Sequence, residues 1–342
     1  MSMTIPVQPE RLKDCVTAIF VGQGLPENDA LVVADSLVEA DLRGVSSHGV
    51  VRVPTYVNGL RDGSINPRPN VHLVVDTGSR AVVEGDGGMG QVAANHAMTL
   101  AVERAREHGI GAVGLRGSRH CGAMAYWAIQ ALAFDCIGFA TTNAGLNMAP
   151  TGGLDKIIGN NPLAIAVPTS RQWPMVLDMA TSVVAGGKLD VAAIRGQKIP
   201  LDWATDRDGH PTDDPVVARK GLLLPVGGPK GYGLAVMLDV LAGALSGARF
   251  GGGLGPPGSG QFFMAIQVEG FMAVDTFKAR MDEIIDQIHE SRRAPGSERI
   301  FLPGEIEYEM AQRRAQGGIP LEEKIVEDLE RLAREVDGPG LT

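Results

Sequence analysis

What this chain of 342 residues has little of narrows its function before any motif is read. Three cysteines, Cys15, Cys121 and Cys136, form no C-x-x-C pair and are odd in number, which fits a reduced, cytoplasmic compartment. Aromatic residues make up only 5%, so stacking platforms for single-stranded nucleic acid have little to build on. A formal net charge of -9, without a Lys/Arg block, argues against a polyanionic partner. Uninterrupted apolar runs are also missing. The most apolar long stretch, "GYGLAVMLDVLAGALSGA", is broken by Asp239 and by glycines and reads as a buried helix, so no membrane partner is expected. The opening "MSMTIPVQPERLKD" has no apolar h-region, and no secretory signal is expected. Seven histidines show no H-x-H or H-E-x-x-H spacing, so no metal site is expected. Neither a G-x-S-x-G elbow nor a Walker motif occurs.

Glycine, by contrast, is abundant at 45 residues, which predicts many tight turns. The remaining composition is that of an ordinary globular protein, and the length suggests two or three subdomains. Residues 9–43 read as two helices, the second with Pro26 at its start. A third helix follows, kinked or restarted at Pro54. Two strands come next, then a helix from about Gln91 to His108 and a strand "IGAVGLRG". A further helix is expected near "SRHCGAMAYWAIQALAF", with Ser118 capping its first turn. Strands "CIGFATTN", "LAIAVPT" and "MVLDMAT", a solvated loop "WATDRDGHPTDDP" and an apolar helix over 231–248 continue the chain. After them come a glycine-rich loop "GARFGGGLGPPGSG", a strand "QFFMAIQVEGF", a helix over 276–291 and an amphipathic "LEEKIVEDLERLAREV". Strict βα alternation is missing, which favours an α+β fold.

The stretch "GDGGMG" at residues 85–90 has the G-x-G-x-x-G spacing of a dinucleotide-binding turn. Its context fails the full fingerprint. The next strand ends in Arg116 and Gly117 rather than an acidic ribose ligand, and no further βαβ unit follows.

Other constellations carry more chemistry. "RGVSSHGVVR" puts His48 and Arg52 four apart, on one face if helical, pairing an acid/base with a cation that can grip a carboxylate. A backbone-bonded histidine and a solvated arginine are the plain alternative. His120 in "GSRHCGAM" reads as a helix N-terminal residue, a place that favours anions and lowers a histidine's pKa. Its alternative is a capping loop; Cys121 beside it is a possible nucleophile, though such cysteines are more often small buried hydrophobes. Asp178 ends an apolar strand and can orient a histidine, bind a ribose hydroxyl or cap a helix. Lys230, in a glycine-flanked loop ahead of an apolar helix, suits a phosphate or is a surface lysine. "LPGE" at 302–305 alone is a plain turn.

Taken together, "RGVSSHGVVR", "GDGGMGQ", "SRHCGAMAYWA", "IGNNPLAIAVP", "LDMATSVVAGGK", "GQKIPLDWATDRDGHPTDDP", "KGYGLAVMLDVLAGALSGA" and "LPGEIE" resemble the type 2 malate/L-lactate dehydrogenase family over essentially the whole chain. The resemblance implies an NAD- or NADP-dependent oxidoreductase of a non-Rossmann α+β fold, with a largely antiparallel sheet carrying the cofactor. It implies a helical domain built from both chain ends, drawn here as residues 1–75 with 305–342, and a cofactor and substrate region over 76–304. A homodimer and a small carboxylate substrate are also implied. By that similarity His48 is the proton donor, Arg52 a substrate-carboxylate ligand, and His120 the acid/base of some relatives. Asp178 is a further catalytic candidate. Cofactor contacts carry over to Ser118 and His120, to Val176, Leu177, Asp178, Met179, Ala180, Thr181 and Ser182, and to Lys230, Gly304 and Glu305. The chain departs from the family pattern at Gln261, where His is frequent, and at Ser118-Arg119, where Asn is frequent; both leave specificity open. A 2-hydroxy/2-oxo acid is the expected substrate. A cyclic imino acid is the alternative, and a non-catalytic small-molecule-binding scaffold the alternative of another class.

Overall fold

The computed structural model describes residues 4–171, 173–253 and 258–341. Residues 254–257 of the expected glycine-rich loop lie outside them. The chain begins with β1 (Thr4–Val7), α1 (Pro9–Gly22) and α2 (Glu27–Leu42). Single 3₁₀ turns at Ser46–His48 and Val50–Arg52 lead into α3 (Val53–Arg61). Then come β2 (His72–Asp76), β3 (Arg80–Glu84), α4 (Gly90–His108), β4 (Ile110–Ser118), α5 (Met124–Gln130) and β5 (Cys136–Thr142). Short strands β6 (Leu146–Met148) and β7 (Ile158–Gly159) precede β8 (Leu163–Val167) and β9 (Met175–Met179). They are followed by α6 (Gly186–Ile194), β10 (Ala204–Thr205), α7 (Pro215–Lys220), β11 (Leu222–Leu223) and α8 (Pro229–Asp239). The last part is β12 (Ser259–Gln267), α9 (Val274–His289), α10 (Glu305–Gly317), β13 (Ile319–Glu322) and α11 (Glu323–Arg334).

Seven strands form the main sheet in the order β2-β3-β4-β12-β5-β8-β9. Only β3 and β4 run parallel, joined through α4; the other neighbours pair antiparallel. Alanines 93, 94, 97, 101 and 105 give α4 a flat face, so it lies close on β4 and β12. The fold is thus mixed, with helices on a mostly antiparallel sheet.

Three apolar cores organise the chain. One joins α1, α2 and α3 to β13 and α11, with Leu12, Ile19, Phe20, Leu37 and Leu329 fully buried. A second lies between the sheet and α4/α5, around Trp127, Met98 and Phe263. The third is smaller and gathers Met148, Leu189, Ile199 and Ala235 under α6 and α8. No helix among the described residues is long and apolar enough to cross a membrane.

Several local expectations differ from this structure. Ser118 is the last residue of β4 and not a helix cap, because the next helix starts only at Met124 behind Ala123. The apolar helix starts at Pro229 and ends its α-helical part at Asp239, continuing as a π turn over Val240–Ala244. Lys230 therefore sits in its first turn rather than in the preceding loop. "LPGE" is more than a turn, since Glu305 opens α10, an element the apolar pattern did not disclose. Within the loop "WATDRDGHPTDDP", β10 pairs with β11.

Candidate active site

The segment carrying His48 is not one helix. Gly49, with φ -88° and ψ -154°, separates two 3₁₀ turns, so simple i,i+4 geometry does not place His48 and Arg52. They are brought together by Asp41 of α2. Its Oδ2 accepts the Val50 N–H at 2.7 Å, while the Arg314 guanidinium from α10 donates to the Asp41 carbonyl. A side chain at Gly49 would collide with the Asp41 carboxylate, so glycine is required by close approach. Burial pushes the Asp41 carboxyl up to about 6, partly offset by the Val50 N–H.

Arg52 Nε donates to Ser47 O at 2.7 Å, and its guanidinium is close enough to depress the pKa of both His48 and His120. His48 and His120 stack with ring centroids 5.4 Å apart and planes inclined by 21°. Ser47 Oγ bonds His48 Nδ1 at 3.0 Å. Tyr56 of α3, four residues beyond Arg52, places its hydroxyl 2.6 Å from His120 Nδ1, and the Gly122 N–H donates to the same nitrogen at 3.3 Å. Sequence reasoning missed Tyr56, because its partner His120 lies 64 positions away and no local spacing marks the pair.

His120 is exposed and His48 half-buried, yet protein is dense around both rings. Burial, reinforced by Arg52, lowers His48 to about 4. Burial, His48 and Arg52 lower His120 to about 3. His120 lies in the loop before α5, so protein enclosure, the His48 imidazole and the Arg52 cation, not a helix terminus, depress it. Both imidazoles are therefore neutral at pH 7. Cys121 is buried, and burial pushes its thiol up to about 12, which removes it as a nucleophile at neutral pH.

The "GDGGMG" turn packs under the His120 loop. The amides of Gly85, Gly87 and Gly88 donate to the carbonyls of Arg116, Gly117 and Gly85. The Asp86 carboxylate accepts from Asn66 Nδ2 and Asn70 N. With those N–H groups occupied, the turn has little left to offer a pyrophosphate. Arg116 pairs with Glu84 at 2.9 Å. Gly90 packs under the His120 loop so closely that a side chain would collide with the carbonyls of Arg119 and His120.

Asp178 Oδ2 accepts the Ala125 N–H at 2.9 Å, so its bonding partner is the first turn of α5 rather than a histidine. Burial raises its carboxyl to about 6, partly offset by that N–H. Nearby, Thr181 N bonds Asn160 O and Thr181 O accepts Val226 N, tying the end of β9 to the turn before α8. Ser182 Oγ donates to Val184 O. The Val176 N–H donates to Pro303 O, joining "LPGE" to β9. Glu305 is buried: its carboxylate meets His289, Arg299 and the Leu302 N–H. Burial alone would raise its pKa, but these donors hold it below the ordinary value. Gln261 Nε2 donates to Arg119 O and Thr142 Oγ1, so the two departures from the family pattern touch each other.

Comparison with known proteins agrees with this arrangement. A model of the malate/L-lactate dehydrogenase family matches residues 7–330. The chain is 41% identical to a malate dehydrogenase of Pyrococcus horikoshii, covering 98% of this chain and 97% of that protein. The structure of malate dehydrogenase from that archaeon matches with a TM-score of 0.91 at 37% identity, over 100% of both chains. An L-sulfolactate dehydrogenase of Methanocaldococcus jannaschii is 40% identical over 96% of this chain and 97% of its own. A delta1-piperideine-2-carboxylate reductase structure from Pseudomonas syringae matches with a TM-score of 0.86 at 30% identity, covering 96% of this chain and 100% of that one. The chain belongs to the malate/L-lactate dehydrogenase family and is an oxidoreductase of the dehydrogenase kind, which implies a nicotinamide cofactor.

Proposed function

We propose that this enzyme interconverts a small 2-hydroxy acid and its 2-oxo acid. The observation that carries the reading is the stacked pair His48 and His120 with the Arg52 guanidinium near enough to act on both. A fixed guanidinium binds the substrate carboxylate and imidazole nitrogens face the C2 oxygen. In oxidation a neutral imidazole accepts the hydroxyl proton; in reduction it returns a proton to the C2 oxygen. His48 is the first assignment for that exchange.

A cofactor fit is supported by the chain's own groups. Thr181 Oγ1 is buried without a hydrogen-bond partner among the described residues, and Gly231 in the first turn of α8 packs on the Thr181 carbonyl. We assign cofactor contacts to Ser118 and His120, to the stretch Val176–Ser182, to Lys230 and to Gly304. Glu305 keeps its place in that set as the residue that anchors the "LPGE" turn. When bound, the nicotinamide gives or takes the hydride at C2. The single parallel β3-α4-β4 unit is not its seat in this reading; the antiparallel β8-β9 edge is. We also assign residues 1–75 with 305–342 to a helical domain and 76–304 to the cofactor and substrate region. The exposed stripe Leu234, Met237, Val240 and Leu245 supports a homodimer covering α8. A monomer mass by light scattering would remove that assignment.

Assays with NADH and NADPH against pyruvate, oxaloacetate, sulfopyruvate and cyclic imino acids, read by nicotinamide absorbance, test the function. Turnover of a 2-oxo acid is expected. Turnover confined to the imino acid, the substrate named for the P. syringae reductase, would replace the 2-oxo acid reading. Arg52→Ala is expected to raise KM for the acid by roughly 10–10²-fold, the loss of a charged hydrogen bond of about 1.5–3 kcal/mol. The cofactor KM should hold. A KM for the acid that stays put would free Arg52 from this role.

A further inference from the structure

We infer that His120 is held as a neutral imidazole with its proton on Nε2, serving as a hydrogen-bond donor to the substrate's C2 oxygen, and that Tyr56 is the positioning residue that keeps it so. The inference rests on the oxidoreductase reading above and decides which histidine moves the proton. A backbone N–H only donates, so the Gly122 N–H on His120 Nδ1 requires a lone pair there. The Tyr56 hydroxyl, 2.6 Å from the same atom, then points its single proton at Nδ1 as well. A neutral imidazole with Nδ1 unprotonated carries its hydrogen on Nε2. To accept a further proton, His120 would have to take it on Nδ1. That would strand the Gly122 N–H against a second donor and force the Tyr56 hydroxyl to turn.

His48 is built the other way. Its Nδ1 faces the Ser47 hydroxyl at 3.0 Å, and a hydroxyl donates or accepts as needed. Ser47 can therefore accompany His48 through both protonation states without an orphaned group. One histidine has a partner that permits exchange and the other has a partner that forbids it. His48 is thus the group that carries the proton, while His120 polarises the C2 oxygen. A neutral histidine used as an electrophile is a known enzymatic pattern.

The surroundings agree. The groups that act on the two histidines are Arg52 and the imidazoles themselves, with Tyr56 against His120 and Cys121 near Tyr56. No carboxylate is among them, so nothing here favours a second charge before a substrate carboxylate arrives. Tyr56 is buried in α3 and held firmly. Beside its hydroxyl lies the fully buried amide of Gln91, near enough to act on the phenol. Gln91 immediately follows the "GDGGMG" turn, which thereby delivers a polar group to Tyr56.

The test is nitrogen NMR of ¹⁵N-histidine-labelled wild-type protein and Tyr56→Phe at pH 7, beside pH profiles of His120→Asn and His48→Asn. The expected spectrum shows a neutral imidazole with a bare Nδ1 that responds to Tyr56→Phe. Tyr56→Phe should lower kcat roughly tenfold, about one neutral hydrogen bond, with little change in cofactor KM. His120→Asn, which keeps an N–H donor but cannot titrate, should retain the acid limb of the oxidation profile. His48→Asn should abolish that limb together with most of the turnover. A proton on Nδ1 in the Tyr56-responsive histidine overturns the inference, as does an acid limb lost in His120→Asn and kept in His48→Asn. The spectrum needs no turnover, so an inactive wild-type chain would count against the reaction while the tautomer is still decided.

Discussion

His48→Ala is expected to lose at least two orders of magnitude in kcat while retaining cofactor affinity. General acid–base catalysis contributes on the order of 10²–10⁴-fold, and His48 meets a hydroxyl able to follow a proton on and off without the fixed amide N–H that sits on His120. The loss should appear in kcat more than in KM, because Arg52 is bonded to the Ser47 carbonyl rather than to the imidazole and still binds the carboxylate. The pH dependence has a defined sign. Burial lowers His48 to about 4, so in the free enzyme its neutral, proton-accepting form persists below pH 6.5, where an ordinary histidine would already be charging. The acid limb of kcat/KM for hydroxy acid oxidation should therefore lie below pH 6.5, and oxidation should weaken only as pH falls toward that depressed value. Near-wild-type turnover in His48→Ala, with cofactor still bound, would remove His48 from the reaction.

The second large effect is expected at a residue that touches no substrate. Gly90→Ala places a methyl group against the carbonyls of Arg119 and His120, backbone atoms that cannot swing aside as a side-chain end can. Overpacking of this kind costs about 1–3 kcal/mol, and a displacement near 1 Å at a catalytic group can cost about 10²-fold in rate. A lowered Tm with a fall of roughly 10–10²-fold in kcat/KM is the expected result. Gly87→Ala is the informative companion. Gly87 has φ +66°, and a Cβ added there would meet nothing nearer than Arg119 Nη2 at 3.9 Å, so Gly87→Ala suffers only the backbone strain of the left-handed region, about 1–2 kcal/mol. In a true dinucleotide turn that middle glycine would be the position where backbone meets pyrophosphate. A collapse of cofactor affinity in folded Gly87→Ala would return the turn to phosphate binding. A lowered Tm with affinity retained would leave it as a brace for His120.

Much of the secondary structure was legible because it is written in short-range patterns. Helices α1, α2, α4, α9 and α11 and strands β2, β3, β4, β5, β8, β9 and β12 follow from periodicity and glycine or proline punctuation near their ends. Helix α10 was not, since its sequence "EIEYEMAQRRAQG" is polar on most faces and its one buried side chain is Glu305. The short strands β1 and β13 pair across more than 300 residues, a distance at which no local window operates. Ser118 and His120 look like helix-start residues in one dimension because a capping serine and a run of small apolar residues read alike whether the helix begins at once or six residues later.

By itself, the sequence determined the residue types available for chemistry, the family, and with it an oxidoreductase of the dehydrogenase kind. Side-chain identity and ordered motifs are local properties and survive in one dimension. Only the tertiary structure decided how those residues meet. It spent the amides of "GDGGMG" on neighbouring strands, set Asp178 on the first turn of α5, and brought Tyr56 of α3 to a histidine 64 positions away. The local partners differ as well: an amide N–H reaches the Nδ1 of His120 while the Nδ1 of His48 meets a hydroxyl alone, a difference that the sequence, which put His48 first only by resemblance, does not show.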